Sequence, residues 1–324
     1  FISLMIKKKK ILALSGGVGG AKLCRGLDQI TDKDELSIIA NTGDDFLHLG
    51  FYISPDIDTL IYTLAGENNI ETGWGRTGET WKAHNIMSEL GADNWFKLGD
   101  KDLEMHVYRS KEIQNGKNLS EITQKVSEIW NINSKILPMS NHSIKTIIES
   151  DIGTLSFQEY FVKKQCIPKV KSISFKQKKA APSQTVLDEM NDNNLKAIIL
   201  APSNPYLSID PILSLSEIRT FLKTASTPVI AVSPVVDGQA IKGPTTKIMA
   251  ELGLEPSVVT IAKHYDGLID GLILDVLDQN LVSQVDDMGI KTKVMNTVMH
   301  NDQDKIQLAH GVLDFAQEIE LAGE

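Results

Sequence analysis

Ile11-Leu12-Ala13-Leu14-Ser15-Gly16-Gly17-Val18-Gly19-Gly20-Ala21-Lys22 is the stretch on which the fold turns. Four apolar residues in a row read as a strand buried on both faces, and Ala21 to Ile30 continues with helical spacing. A strand without an exposed face belongs to a parallel sheet covered by helices on both sides. Outward from it the pattern repeats. Leu36 to Ala40, Ile198 to Ala201, Val229 to Val232 and Val258 to Ala262 read as further strands. Leu215 to Thr224, Thr245 to Leu252 and Lys305 to Ile319 read as helices. The expectation is an α/β fold with a mostly parallel sheet.

The middle of the chain departs from this alternation. Thr77 to Leu90 and Ser120 to Ile129 read as helices, the second capped by Ser120, and Ile144 to Ser150 with Thr154 to Phe157 as a hairpin. Residues 66–190 are therefore expected as an inserted, mainly helical subdomain, with 5–65 and 191–324 forming the core. The length of 324 residues suits one large α/β domain with an insertion. A net charge of −9 argues against general nucleic-acid binding, though not against a local basic pocket for phosphate. Two cysteines, Cys24 and Cys166, make no disulfide framework and lead us to expect reduced thiols and a cytoplasmic location. No apolar run is long enough to cross a bilayer. The opening Phe1-Ile2-Ser3-Leu4-Met5-Ile6, followed by Lys7 to Lys10, does not read as a signal peptide, since the charges follow the short apolar stretch.

In open parallel sheets ligands bind beyond the carboxyl ends of the strands. Those ends carry Ser15 to Lys22, then Asn41-Thr42-Gly43-Asp44-Asp45, then Pro202-Ser203-Asn204-Pro205 and Ser233-Pro234. Glycines let backbone N–H groups approach an anion, and the next helix adds its dipole, which favours phosphate. A tight turn that binds nothing is the plainer alternative. The loop is neither a Walker A motif, since Ala21 separates Gly20 from Lys22, nor a dinucleotide fingerprint, since Lys22 stands where a third glycine is required. Asp44, Asp45, Asp56 and Asp58 gather behind the second strand, and carboxylates beside a phosphate loop suit Mg²⁺. Asp56 and Asp58 equally suit the first turn of a helix opened by Ser54 and Pro55. Lys97, within Trp95-Phe96-Lys97-Leu98-Gly99-Asp100, offers a cation for a ligand or a plain surface charge. Trp74, Trp81, Trp95 and Phe96 could line an aromatic pocket or fill a core. The histidines show no metal spacing, and no G-x-S-x-G elbow occurs.

Taken together, Leu14 to Leu23, Asn41 to Asp45, Ile53-Ser54-Pro55-Asp56-Ile57-Asp58-Thr59, Lys97 to Asp102, Ile136 to Ser140, Pro202 to Pro205 and Gly243-Pro244 resemble the 2-phospho-L-lactate transferases of deazaflavin coenzyme (F-420) biosynthesis. The resemblance implies a Rossmann-like, Mg²⁺-dependent homodimer. It would move a phospholactyl group, or a related three-carbon acid, from a guanosine diphospho-acid donor to the ribityl hydroxyl of the deazaflavin FO, releasing GMP. It places Asp58 and Lys97 on FO, with Asp58 and Asp45 as catalytic residues. Asp44 or Asp45 would carry the metal, and Ser15, Gly16, Gly17, Gly19, Gly20, Lys22, Ser203 and Asn204 would hold the nucleotide and its phosphates. A non-catalytic, nucleotide-sugar-binding regulator of the related gluconeogenesis-factor family is the alternative. Asp44-Asp45 leading into Phe46-Leu47-His48 speaks against it, because that family continues into glycines and serines.

Overall fold

A computed structural model describes residues 9–177 and 179–323; the opening Phe1 to Ile6 lies outside them. The chain begins with β1 (Lys10–Ser15), α1 (Gly17–Ile30) and β2 (Leu36–Ala40). A small hairpin, β3 (Phe46–His48) and β4 (Phe51–Ile53), leads into α2 (Pro55–Ala65). Then follow α3 (Lys82–Glu89), α4 (Asp100–Gln114), α5 (Leu119–Ile129) and β5 (Lys135–Pro138). Strands β6 (Ile144–Ser150), β7 (Gly153–Ser156) and β8 (Val170–Gln177) form a separate antiparallel sheet. After α6 (Gln184–Met190) and β9 (Leu195–Leu200), a π-helical turn, Pro205–Ile209, runs into α7 (Asp210–Leu213) and α8 (Ser216–Thr224). The chain continues through β10 (Val229–Val232), a short hairpin of β11 (Val235–Val236) and β12 (Gln239–Ala240), then α9 (Thr245–Glu251) and α10 (Val258–His264). It closes with β13 (Gly271–Leu274), α11 (Val282–Asp286), β14 (Lys291–Val294) and α12 (Asp302–Gly323).

The main sheet has seven strands in the order β14-β13-β10-β9-β1-β2-β5, every pair parallel. β1, β2, β9 and β10 are buried almost throughout, as their unbroken apolar runs require. One face packs on α1, α2 and α12, the other on α7 to α10, so helices cover both sides in a Rossmann-like α/β architecture. The chain winds outward from β1 through β2 to β5 and later resumes at β9 on the other side of β1. The reversal puts the switch point between β1 and β9, and open parallel sheets place their ligand crevice at the carboxyl ends of the strands beside that point. Gly26 lets α12 lie directly on α1: a Cβ there would stand 2.1 Å from the Lys305 carbonyl oxygen.

Several elements differ from expectation. Val258 to Ala262 forms α10, not a strand. Ser257 accepts a hydrogen bond from the Val259 N–H, and Val258, Ile261 and Ala262 are buried at helical spacing. The sheet is completed instead by β13 and β14; the latter, Lys-Thr-Lys-Val, lacks the apolar run of an inner strand. The stretch 66–190 is divided by β5, which pairs with β2 from Ser37↔Lys135 to Ala40↔Pro138. The helices α3 to α5 precede it and the antiparallel sheet follows, so this stretch is part of the core at β5. α3 starts at Lys82, later than Thr77. α5 is capped by Asn118, not Ser120, in a reciprocal box with Glu121. Asn118→Ala is expected to lower stability by about 1 kcal/mol in urea denaturation.

Candidate active site

The crevice is built where β1, β2 and β9 end. α1 starts directly after β1, so its first amides lack partners within the helix. Two loop amides find partners from other elements: the Gly16 N–H donates to Ser203 Oγ at 3.2 Å and the Gly17 N–H to Asp56 Oδ1 at 2.7 Å. Gly17 has a φ of +63°, a conformation that favours glycine. Asp56 thus caps α1 from across the crevice, which its own position at the start of α2 does not reveal. The glycines also permit contact between α1 and the β9 loop. A Cβ on Gly19 would lie 2.4 Å from the Pro202 carbonyl oxygen, and one on Gly20 2.3 Å from Ser203 Oγ and 2.4 Å from Ser15 Oγ.

Asn41, at the end of β2, organises the acids. Its Nδ2 donates to Asp56 Oδ2 at 2.9 Å and to Asp44 Oδ1 at 3.3 Å, and its Oδ1 accepts from the Gly43 N–H at 2.8 Å. Asp45 Oδ2 accepts from Ser54 Oγ at 2.7 Å and Tyr52 OH at 3.1 Å, whereas its Oδ1 is buried without a partner. Ser54 therefore opens α2 while spending its hydroxyl on Asp45. Burial, reinforced by Asp56 and Asp45, raises the Asp44 carboxyl well above the usual range. Burial does the same to Asp45 against the opposing pull of Ser54, Arg109 and Tyr52. It lifts Asp56 to about 6 even though Asn41 and the Gly17 N–H favour the charged form. Loss of solvation on burial is the common cause, and neighbouring carboxylates add to it at Asp44 and Asp45.

Asp58 lies one turn into α2 and is buried against α4. Both its oxygens accept from the Arg109 guanidinium, the Oδ2 contact being 3.1 Å. His106 stands between Asp58, 3.7 Å from its Nδ1, and Asp102, 3.4 Å from its Nε2. The Tyr62 hydroxyl donates to Asp102. Sequence reading placed Asn41 at a strand end without giving it a role, and missed His106 and Arg109 as parts of this site. Their signal was faint: Asp102, His106 and Arg109 recur at helical spacing, which resembles a solvated polar face until α4 folds onto α2.

The remaining expected residues are scattered around this centre. Asn204 accepts from the Tyr206 and Leu207 N–H groups, and its Nδ2 is buried without a partner. Lys22 donates to the Met299 carbonyl at 2.8 Å; burial, with Lys242 and Lys305 nearby, lowers its pKa. Lys97 is exposed just before α4. Its neighbours Trp95 and Phe96 pack on Phe46 and His48 of the β3–β4 hairpin, with Phe96 edge-on to Phe46 at 4.9 Å. Trp74 and Trp81 form a separate pair, 6.2 Å apart. The four aromatic residues singled out in the sequence therefore fall into two groups.

A glycine turn at the switch point of a parallel sheet, beside buried acids and orphaned polar atoms, defines the class: a Rossmann-like α/β protein whose polar residues gather at the strand ends. The sequence profile of the family described as 2-phospho-L-lactate transferase CofD matches residues 11–312. The chain belongs to this family. A phosphoenolpyruvate transferase of Streptomyces griseus is 33% identical over 96% of this chain and 99% of its own length. A 2-phospho-L-lactate transferase of Methanopyrus kandleri is 34% identical over 96% and 98%. Among solved structures, a member of the UPF0052 family from Bacillus halodurans shares the fold with a TM-score of 0.61 at 15% identity, covering 94% of this chain and 99% of that one. No helix among the described residues is long and apolar enough to cross a membrane.

Proposed function

We propose that this protein transfers a phospho-three-carbon acid, phospholactyl or phosphoenolpyruvyl, from a guanosine diphospho-acid donor to the ribityl hydroxyl of FO. The observation that carries this reading is the glycine turn at the switch point, capped by Asp56, with Asp44 held beside Asp56 through Asn41 and Asp45 bonded to Ser54 at the start of the same helix. The relatives' names leave phospholactate and phosphoenolpyruvate as the two acids to choose between. In this reading the first-turn amides of α1 receive the diphosphate, and Ser203 and the free Nδ2 of Asn204 face the guanine nucleotide. Lys22 adds positive charge beside the turn. Lys97 and the aromatic group around Phe46 and Trp95 receive FO. Asp58 orients the attacking hydroxyl; the hydroxyl oxygen bonds to the phosphorus bearing the acid, the bond from that phosphorus to the GMP phosphate oxygen breaks, and GMP leaves while the hydroxyl proton passes to water. Transfer of this kind depends mainly on positioning and charge neutralisation.

Mg²⁺ fits the acids. Asp45 Oδ1 is buried and unpartnered, and Asp44 and Asp56 crowd each other with no lysine or arginine among the described residues bonded to either. Asp44 and Asp45 would hold the ion, which when bound would neutralise diphosphate charge beside the Asp56 carboxylate. A carboxyl raised in the folded state favours folding fully below its unfolded value near 3.8. That contribution is lost as pH rises through the folded value, about 6 for Asp56. Mg²⁺ needs charged ligands, and burial favours the neutral forms of Asp44 and Asp45, so the rise in melting temperature produced by millimolar Mg²⁺ is expected to grow as the pH is raised and to fade as it is lowered. A cytoplasmic homodimer completes the proposal. The deciding experiment supplies FO and Mg²⁺ with phospholactyl and phosphoenolpyruvyl donors in competition and follows GMP by chromatography. GMP release tied to FO consumption supports transfer; nucleotide binding without turnover of either donor points to the regulator.

A further inference from the structure

We infer that Arg109 is the positioning residue for Asp58: its guanidinium fork engages both carboxylate oxygens and fixes the one orientation in which Asp58 aligns the acceptor hydroxyl. The inference rests on the reading of Asp58 as the acid facing the acceptor. Arg109 is 1% exposed, the largest side chain buried to that degree among the described residues. It donates through two nitrogens to both oxygens of Asp58 and, at 3.3 Å, to the Tyr52 carbonyl. The Tyr52 N–H in turn donates to Ser110 Oγ at 2.8 Å, so α4 is pinned to β4 on either side of the guanidinium. β4 leads directly into Ser54 and the first turn of α2, the turn that carries Asp56 and Asp58.

A second layer fixes the first. Asp58 and Tyr62 lie one turn apart on α2, and Asp102, His106 and Arg109 lie along one stripe of α4. Asp102 accepts from Tyr62 and sits 3.4 Å from His106, which itself lies 3.4 Å from the guanidinium. Asp58, Asp102 and His106 place ligand atoms within 4.8 Å of one another, the spacing of a metal site. The guanidinium already occupies the cation's place against both Asp58 oxygens, so the group is an ion-pair network. Stability alone does not account for it, because a buried ion pair often holds a fold no better than apolar residues of the same volume. Its specific product is a carboxylate with both oxygens engaged and one fixed orientation, the property that alignment needs and proton abstraction does not.

Lysine cannot reproduce the fork. Arg109→Lys is therefore expected to lower kcat for FO transfer by roughly 10-fold or more, with the donor KM within about twofold of wild type. Arg109→Ala should lose more and regain several-fold of the lost rate in millimolar guanidinium, whereas the same concentration of ammonium should restore nothing; mere loss of packing would not show that selectivity. If the Arg109 variants do not fold, His106→Asn and Tyr62→Phe read the outer layer, each expected to lower kcat about 3- to 10-fold without changing the donor KM. Wild-type rates in the folded Arg109 variants, or losses that guanidinium leaves untouched, overturn the inference while leaving the transferase assignment standing. With the Arg109 variants unfolded, unchanged kcat in both outer-layer variants does the same. A wild-type protein that turns over neither donor with FO overturns both.

Discussion

Asp58→Asn is expected to cost both stability and activity, and a second substitution is expected to return only the first. Removing the Asp58 charge leaves the Arg109 guanidinium buried without its partner, a change worth roughly 3–5 kcal/mol. It also removes the carboxylate that orients the hydroxyl, expected to lower transfer by about 10²-fold or more. In Asp58→Asn/Arg109→Gln no charge is stranded, so most of the lost stability should return in urea denaturation. Transfer should stay at the level of the single variant. If Asp58→Asn kept full turnover with normal Mg²⁺ dependence, the role given to Asp58 would be wrong. If the double variant recovered turnover as well as stability, the carboxylate would be serving only the fold.

The second large effect concerns the glycine turn. Gly19→Ala places a methyl group against the Pro202 carbonyl, which cannot rotate away as a side chain can. The β9 loop or the start of α1 must move, at a cost of about 1–3 kcal/mol. Displacement by even a fraction of an ångström also shifts the amides that receive the diphosphate, so donor KM should rise by about 10-fold or more. Gly26→Ala serves as the comparison. It creates a clash with the Lys305 backbone that is at least as severe, about two turns further along α1. It should destabilise the protein by a similar amount and leave donor KM unchanged. Equal donor KM in the two variants would show that the turn does not hold the donor.

The parts of this molecule that were legible in the sequence share one property: their signal is local. β1, β2, β9 and β10 declare themselves by unbroken apolar runs, and the turn after β1 by its glycines. Asp44 and Asp45 were visible because they follow β2 at once, and α2 because Pro55 suits a first helical position. What stayed hidden depends on distant partners. Val258 to Ala262 is as β-branched as a strand, and only the Ser257 cap and the side on which it is buried make it helix. β14 is polar because it is an edge strand, so no apolar run announces it. Asp56 reads as an acid for its own helix dipole and turns out to cap α1. Arg109 drew no notice in the sequence, and its burial follows from α4 lying on α2 and β4.

In the proposed reaction the amides at the start of α1 grip the donor's diphosphate, and Asp58 aims the acceptor at it. A crystal structure of the protein with a guanosine diphospho-acid or its unreactive analogue, Mg²⁺ and FO measures this directly. Diphosphate oxygens are expected within hydrogen-bond distance of the Val18, Gly19 or Gly20 N–H groups, with the ribityl chain against Asp58. A vacant turn with the nucleotide lodged elsewhere would contradict it.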